Sequence, residues 1–277
     1  MCAMEIGVIT TLKKGFNPFP EIAALGLKTA QMQNWDMDNL TDEVAMEVRK
    51  NTQESGVRLA ALWAGYTGPI IWNSYGGPDT CGLVPPDQRE RRVGELKREA
   101  DFAKLLGVPA IITHCGFIPE NPKDKLYADT LAAIHEVALH CKELGLEFWF
   151  ESGQETPLTL LRTIEDLGLD NLGINLDTAN LILYGRGNPV DALEVFGKYV
   201  KNLHIKDGLF PKDGHSLGKE VPFGMGRADF DKIIPKLYEL NFTGDLIIER
   251  EISGPQQVAD IQMATEKLKA LLAKYRP

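Results

Sequence analysis

The sequence predicts an α/β protein, a single (β/α)8 TIM barrel with a parallel eight-stranded core, with residues 1–277 forming one domain. Three observations carry this expectation. Eight short apolar runs of strand length alternate with amphipathic stretches of helix length, at roughly 35 residues per unit, the pattern of a parallel sheet that closes on itself. The chain has 277 residues, close to the ~250 typical of one such barrel. Several helical stretches end on Leu-Gly just ahead of the next run: Leu25-Gly26, Leu106-Gly107, Leu144-Gly145 and Leu167-Gly168. Glycine supplies the left-handed residue that stops a helix there.

In chain order the strand runs are residues 5–9, 28–33, 58–63, 109–114, 147–151, 172–177, 200–206 and 245–250. Helical periodicity is clearest over 41–55, 88–106, 126–144 and 230–240. Two connections are long, 64–86 after the third run and 207–229 after the seventh, and both fall on the side where strands lead into helices. Long loops on that side cover a substrate or build an interface. Trp72 and Tyr75 in the first of them fit loop packing or a subunit contact as well as a substrate wall.

Composition limits the function classes. Hydrophobic residues at 44% and charged residues at 25% match an ordinary water-soluble enzyme. A formal net charge of −9 disfavours nucleic acid, whose binding needs a basic stripe. A small sugar or sugar phosphate stays open, because one local basic patch would serve it. Cys2, Cys81, Cys115 and Cys141 form no CxxC pair, which points to buried or free thiols rather than a zinc knuckle or a disulfide frame. No apolar stretch reaches membrane length, and the start lacks a signal-peptide layout, so the expectation is a cytoplasmic protein. A homo-oligomer is compatible with all of this.

Four polar residues share one local context. Glu151, Asp177, His204 and Glu249 each close an apolar run: Glu147-Phe-Trp-Phe-Glu151, Leu172-Gly-Ile-Asn-Leu-Asp177, Val200-Lys-Asn-Leu-His204 and Asp245-Leu-Ile-Ile-Glu249. Any one of them alone reads as a salt-bridge partner or a satisfied histidine. Together they end four successive strands, five to eight, at the rim where such barrels place catalysis. A carboxylate at a buried strand end is costly unless paired or bound to a cation, and three converging carboxylates repel one another. One divalent metal ion is therefore expected. The oxygen-rich set favours Mn²⁺ or Mg²⁺, with Zn²⁺ or Co²⁺ able to occupy the site.

Longer phrases around these residues resemble the xylose-isomerase-like sugar isomerase/epimerase superfamily, which includes D-tagatose 3-epimerase-like enzymes. They are Phe150-Glu151-Ser-Gly-Gln-Glu-Thr-Pro157, Asn175-Leu-Asp177-Thr-Ala-Asn180, His204-Ile-Lys-Asp207 and Ile247-Ile-Glu249-Arg-Glu251. The glycine-rich stretch Val221-Pro-Phe-Gly-Met-Gly226-Arg-Ala-Asp229-Phe is similar as well. The resemblance implies a (β/α)8 barrel holding one divalent metal through Glu151, Asp177, His204 and Glu249. It also implies that Glu151 and Glu249 act as catalytic acid and base on a small sugar or keto-polyol. A proton next to a carbonyl would leave from one face and return on the other, through an enediolate. Loss of water, as in inosose dehydratases, needs the same first step. An inactive sugar-binding barrel is a further alternative.

Two departures qualify the resemblance. The epimerases carry a histidine three residues after the sixth-strand aspartate, where this chain has Asn180. They place an arginine after the seventh-strand histidine, where Lys206 and Asp207 stand. Endonuclease IV, another member, needs three zinc ions and many histidines, whereas this chain has five. His114, Asn180, Lys206 and Trp63 are the substrate-binding candidates, for they sit at strand ends on the same rim or next to the ligand set. The competing role for Lys206 is a salt bridge to Asp177 or Glu249. Gln154, Glu155, Trp35 and Arg227 are further wall candidates, and Gly224 and Gly226 resemble a phosphate cradle loosely.

Overall fold

The computed structural model describes residues 4–276. Eight parallel strands close into a barrel: β1 (Ile6–Thr11), β2 (Thr29–Asn34), β3 (Arg58–Ala64), β4 (Ala110–Thr113), β5 (Glu147–Glu151), β6 (Leu172–Asp177), β7 (Val200–Ile205) and β10 (Leu246–Ile248). They follow one another around the barrel in chain order, and β10 pairs with β1 to close it. All eight expected runs are strands. The last is shorter than expected because the chain leaves the ladder at Glu249, whose N–H still donates to the Ile205 carbonyl at 3.2 Å.

Helices wrap the outside: α1 (Phe19–Ala24), α2 (Asp42–Ser55), α3 (Pro86–Leu106), α4 (Lys125–Glu143), α5 (Pro157–Leu167), α6 (Asn180–Leu183), α7 (Pro189–Phe196), α8 (Phe230–Glu239) and α9 (Pro255–Tyr275). Thr41 caps α2 by accepting the Val44 N–H, and Thr156 caps α5 through Thr159 N–H. The Leu-Gly stops hold: Gly26, Gly107, Gly145 and Gly168 all have positive φ.

Side-chain alternation splits each strand into an outward set packed under the helices and an inward set. The inward set is unusually polar. Gln31 on β2, Asn175 and Asp177 on β6, and Asn202 and His204 on β7 are all buried. A smaller apolar layer of Ala61, Trp63, Ala110, Ile112 and Trp149 fills the barrel beside them. Trp149 fits because residue 173 has no side chain: a Cβ at Gly173 would lie 2.6 Å from Trp149 Cδ1. At the N-terminal end, Arg58 Nη2 donates to both oxygens of Asp245 at 2.7 and 2.9 Å. An ion pair at that end of the barrel serves stability rather than chemistry.

Both long loops are built rather than loose. Arg92 of α3, fully buried, spends its donors on the carbonyls of Thr67, Pro69, Thr80 and Gly82 at 2.8–3.2 Å and lies over the Tyr66 ring. The 207–229 connection contains an antiparallel hairpin, β8 (Asp207–Leu209) with β9 (Lys219–Val221), where the sequence indicated only a loop. Its organiser is Asp207, which accepts the N–H groups of Gly208, Gly224, Gly226 and Ala228 at 2.8–3.1 Å. A side-chain anchor of this kind leaves no strand periodicity to read. It also corrects the phosphate-cradle reading of Gly224 and Gly226, whose amides are already occupied by a carboxylate.

Gly173→Val should overpack the barrel interior against Trp149 and cost about 1–3 kcal/mol. Thermal unfolding measures this. An unchanged Tm would mean that the interior has slack at this layer.

Candidate metal centre

Glu151 and Asp177 end β5 and β6, His204 lies one residue from the end of β7, and Glu249 follows β10 directly. Strand parity turns all four inward at the same rim, and one ligand atom from each lies within 4.8 Å of the others. His204 Nδ1 is 2.9 Å from Glu151 Oε1, 3.1 Å from Glu249 Oε2 and 4.0 Å from Asp177 Oδ2.

The outer partners of these groups leave one atom of each free for the centre. His204 Nε2 meets Gln31 Oε1 at 2.6 Å. With Nε2 donating to Gln31, Nδ1 is the nitrogen that faces the carboxylates, the orientation a metal ligand needs. Asn175 Nδ2 donates to Glu151 Oε2, and Asn202 Nδ2 donates in turn to Asn175 Oδ1 at 2.6 Å. Asp177 Oδ1 accepts from Ala179 and Asn180 N–H at 2.7 and 2.8 Å. What remains unsatisfied is the converging set. Asp177 Oδ2 and His204 Nδ1 are buried and lack a hydrogen-bond partner. Burial opposes charge on His204, but Glu151 and Glu249 hold its pKa well above the usual range, so without an ion a proton sits on this nitrogen, and a divalent ion would take its place. The donor set, three carboxylate oxygens and one imidazole nitrogen, fits a divalent ion.

Lys206 continues the inward parity of His204. Its Nζ lies 3.4 Å from Asp177 Oδ2, 3.3 Å from Glu249 Oε2, 2.6 Å from Glu251 Oε1 and 3.3 Å from Asn180 Oδ1. Lys206 thus forms the ion pairs with Asp177 and Glu249 that were the competing expectation for it. Burial disfavours its charge, but Asp177, Glu249 and Glu251 outweigh that and keep the ammonium well above its usual range. Burial, reinforced by the neighbouring glutamates against the pull of Lys206, pushes Asp177 up to about 8. Glu249 goes the other way. Burial opposes its ionisation, yet Lys206 and His204 prevail and hold it ionised.

The other expected residues surround this centre unequally. His114 is buried just past β4, between Trp63 and Trp72 with ring centroids 5.6 and 5.3 Å away. Its Nδ1 has no partner, and burial lowers its pKa, so the ring is neutral. Trp63 is 5% exposed and packs on Trp35 at 4.8 Å. Asn180 begins α6 and reaches Lys206. Glu155 is buried, with one oxygen unpartnered, and burial pushes it up to about 8. Gln154 donates to the Tyr184 hydroxyl, and Arg227 is exposed on the loop. Gln31, Asn175, Asn202 and Glu251 were missed. The first three share strand parity with Gln33, Asp177 and His204, and that period-two polar pattern was available in the sequence.

A model of the family described as "Xylose isomerase-like TIM barrel" matches residues 19–272. The chain belongs to that family. A xylose isomerase domain protein from Planctomyces limnophilus has 34% identity and a TM-score of 0.92, with 98% of each chain covered. A D-psicose 3-epimerase, solved in the presence of D-fructose, shares the fold at 18% identity and a TM-score of 0.71, over 97% of this chain and 99% of that one. An inosose dehydratase of Geobacillus kaustophilus is 27% identical over 46% of each sequence. The chain spans 60% or less of the length of the curated relatives it matches. The family and the structure together give a xylose isomerase-like TIM barrel with a candidate four-residue metal site. Among the described residues no helix is long and apolar enough to cross a membrane.

Burial and the neighbouring glutamates raise Asp177, and against burial Glu151 and Glu249 raise His204, so an ion entering the set displaces protons from it. Mn²⁺ affinity should therefore fall as the pH drops from 8 to 6, by about tenfold per unit or more. Calorimetric titration at pH 6, 7 and 8 checks this, and a flat profile would show that no proton competes with the ion.

Proposed function

We propose that the protein is a divalent-metal-dependent isomerase or epimerase that moves a proton at the carbon next to the carbonyl of a small sugar or keto-polyol. The observation carrying this reading is the inequality of the two glutamates around one acidic centre. Glu151 is 2% exposed, with its second oxygen bonded to Asn175. The Glu249 side chain is 15% exposed and kept ionised by Lys206 and His204. It is the base that a substrate entering the mouth meets. Its carboxylate takes the proton from one face, and Glu151, across the site, returns one to the other. A positioned pair of this kind contributes typically ~10²–10⁴-fold. Glu151, Asp177, His204 and Glu249 would hold the ion, Mn²⁺ or Mg²⁺ by the oxygen-rich set. When bound, the ion supplies Lewis-acid polarisation of the carbonyl and balances the negative charge that develops on oxygen. Neutral His114 and the Asn180 amide offer hydrogen bonds to substrate hydroxyls.

A second reading is favoured by Lys206. A protonated amine buried beside the ligand set can donate to a departing hydroxyl, which turns the same first step into loss of water. The likeness to an inosose dehydratase supports this lyase reading.

Incubation with a panel of ketoses and inososes in D₂O with Mn²⁺, followed by NMR, should show exchange at the carbon next to the carbonyl. Retention of all carbinol ¹³C signals marks epimerisation, and loss of one marks dehydration. Glu249→Gln should cut exchange at least ~10²-fold with Mn²⁺ still bound. Exchange at the normal rate in that variant, metal content being equal, would remove Glu249 from the acid/base role. Asp177→Asn should instead weaken the ion, and excess Mn²⁺ should restore part of the rate.

A further inference from the structure

The two long connections meet on the catalytic side of the barrel. The Tyr75 ring of the 64–86 loop lies edge-on to the His215 ring of the 207–229 loop, with centroids 5.0 Å apart. Each ring is presented by a turn that one side chain closes. Asn73 Oδ1 accepts the N–H groups of Tyr75 and Gly76 at 3.0 and 2.8 Å, and Asp213 Oδ1 accepts those of His215 and Ser216 at 2.8 Å. Ile70, Trp72 and Leu217 from the same two loops pack on Cys81, Phe117 and Tyr184. Phe117 follows β4 and Tyr184 follows β6, so this cluster reaches from one side of β5 to the other. Trp72 also belongs to an aromatic wall. Trp35 lies 6.2 Å from it and 4.8 Å from Trp63, and His114 stands between Trp63 and Trp72.

The centre these loops border is sealed. Glu151, Asp177, His204 and Lys206 are at most 3% exposed, and His114 is 7% exposed. A groove of about 450 Å³ runs beside Glu249, but Glu151, Asp177 and His204 do not line it. It therefore leads no sugar to the space between the two glutamates. The loops are held unevenly along their length. Arg92 clamps both stems of the first, at Thr67 and Pro69 on one side and at Thr80 and Gly82 on the other. The β8–β9 ladder and Asp207 clamp both stems of the second. Segments 70–79 and 210–218 lie between the clamps, and their outermost link is the ring pair. Tyr75 is 73% exposed, and a contact between two solvent-exposed rings opens more readily than a buried one.

Resting on the reading of the site as a metal-dependent catalytic centre, we propose that Tyr75 and His215 form a clasp between two loops that part to admit substrate and close to exclude water. The hinges lie next to the clamped stems. Closing seats Trp72 against His114, so the wall that faces the substrate is complete only in the clasped state. Closure of this kind sequesters the reacting groups and commits the substrate.

Tyr75→Cys/His215→Cys protein, joined across the clasp by a short bismaleimide that carries a disulfide, tests this, with wild-type protein given the same reagent as control. Neither readout needs turnover. Acrylamide quenching reports access to the tryptophans, of which Trp35, Trp63 and Trp72 stand in the wall. The rate at which EDTA strips Mn²⁺ from loaded protein reports access to the ion by a molecule the size of a sugar. Joining should lower quenching and slow stripping by about tenfold or more, and dithiothreitol should restore both. Tyr75→Ala should be quenched more and should lose Mn²⁺ several-fold faster, with wild-type Mn²⁺ affinity and circular dichroism. Quenching and stripping that ignore the bridge, or a Tyr75→Ala protein that matches wild type in both, would overturn the proposal. Failure of the metal reading shows separately, as protein that takes up no Mn²⁺ while acrylamide still tells the joined form from the open one.

Discussion

Three carboxylates gathered with an imidazole at one end of a closed barrel repel one another unless positive charge sits among them, and the rest of the site is arranged around that cost. Glu151, Asp177 and His204 are buried, so solvent screens their charges little. The chain answers with two devices. Lys206 brings a permanent positive charge against Asp177 and Glu249. The second device is a set of neutral donors, Asn175 and the backbone of Ala179 and Asn180, that satisfies the outer oxygens and aims the inner ones at a common centre. The polar barrel interior is therefore support for the site, and Gln31, Asn175 and Asn202 are its visible struts.

The same constraint separates the roles of groups that look alike in sequence. Glu151 and Glu249 both end an apolar run, yet one is held by an asparagine chain running down the barrel interior and the other opens toward the groove. Two aspartates, Asp177 and Asp207, follow strand ends only a strand apart. Asp177 turns an unpartnered oxygen to the centre, whereas Asp207 gives its oxygens to four backbone amides and builds the hairpin that borders the mouth. Accessibility and hydrogen-bond supply, rather than residue type, decide which carboxylate is available for chemistry.

Much of this was legible in the sequence because it rests on local periodicity. Strand runs, Leu-Gly stops and the four strand-end residues are short-range signals, and barrel closure brings the four together through strand parity alone. Other features depend on pairings between distant segments. The β8–β9 hairpin needs Asp207 to meet glycines 17 and 19 residues away. Gln31 reaches His204 only because β2 and β7 face each other across the barrel. The aromatic wall joins residues from two strand ends and a long loop, so Trp63 read alone gave no hint that Trp35 and Trp72 extend it. The phosphate-cradle reading failed for the same reason: the sequence shows the glycines but not the carboxylate that fills their amides.

The account stands on one cation seated between four named atoms. An anomalous difference map from a crystal soaked in Mn²⁺ tests it most directly. The expected result is a single strong peak bound by Glu151 Oε1, Asp177 Oδ2, Glu249 Oε2 and His204 Nδ1, with His204 Nε2 still on Gln31. No peak between these side chains, or a peak bound through His204 Nε2 with Gln31 displaced, would contradict it.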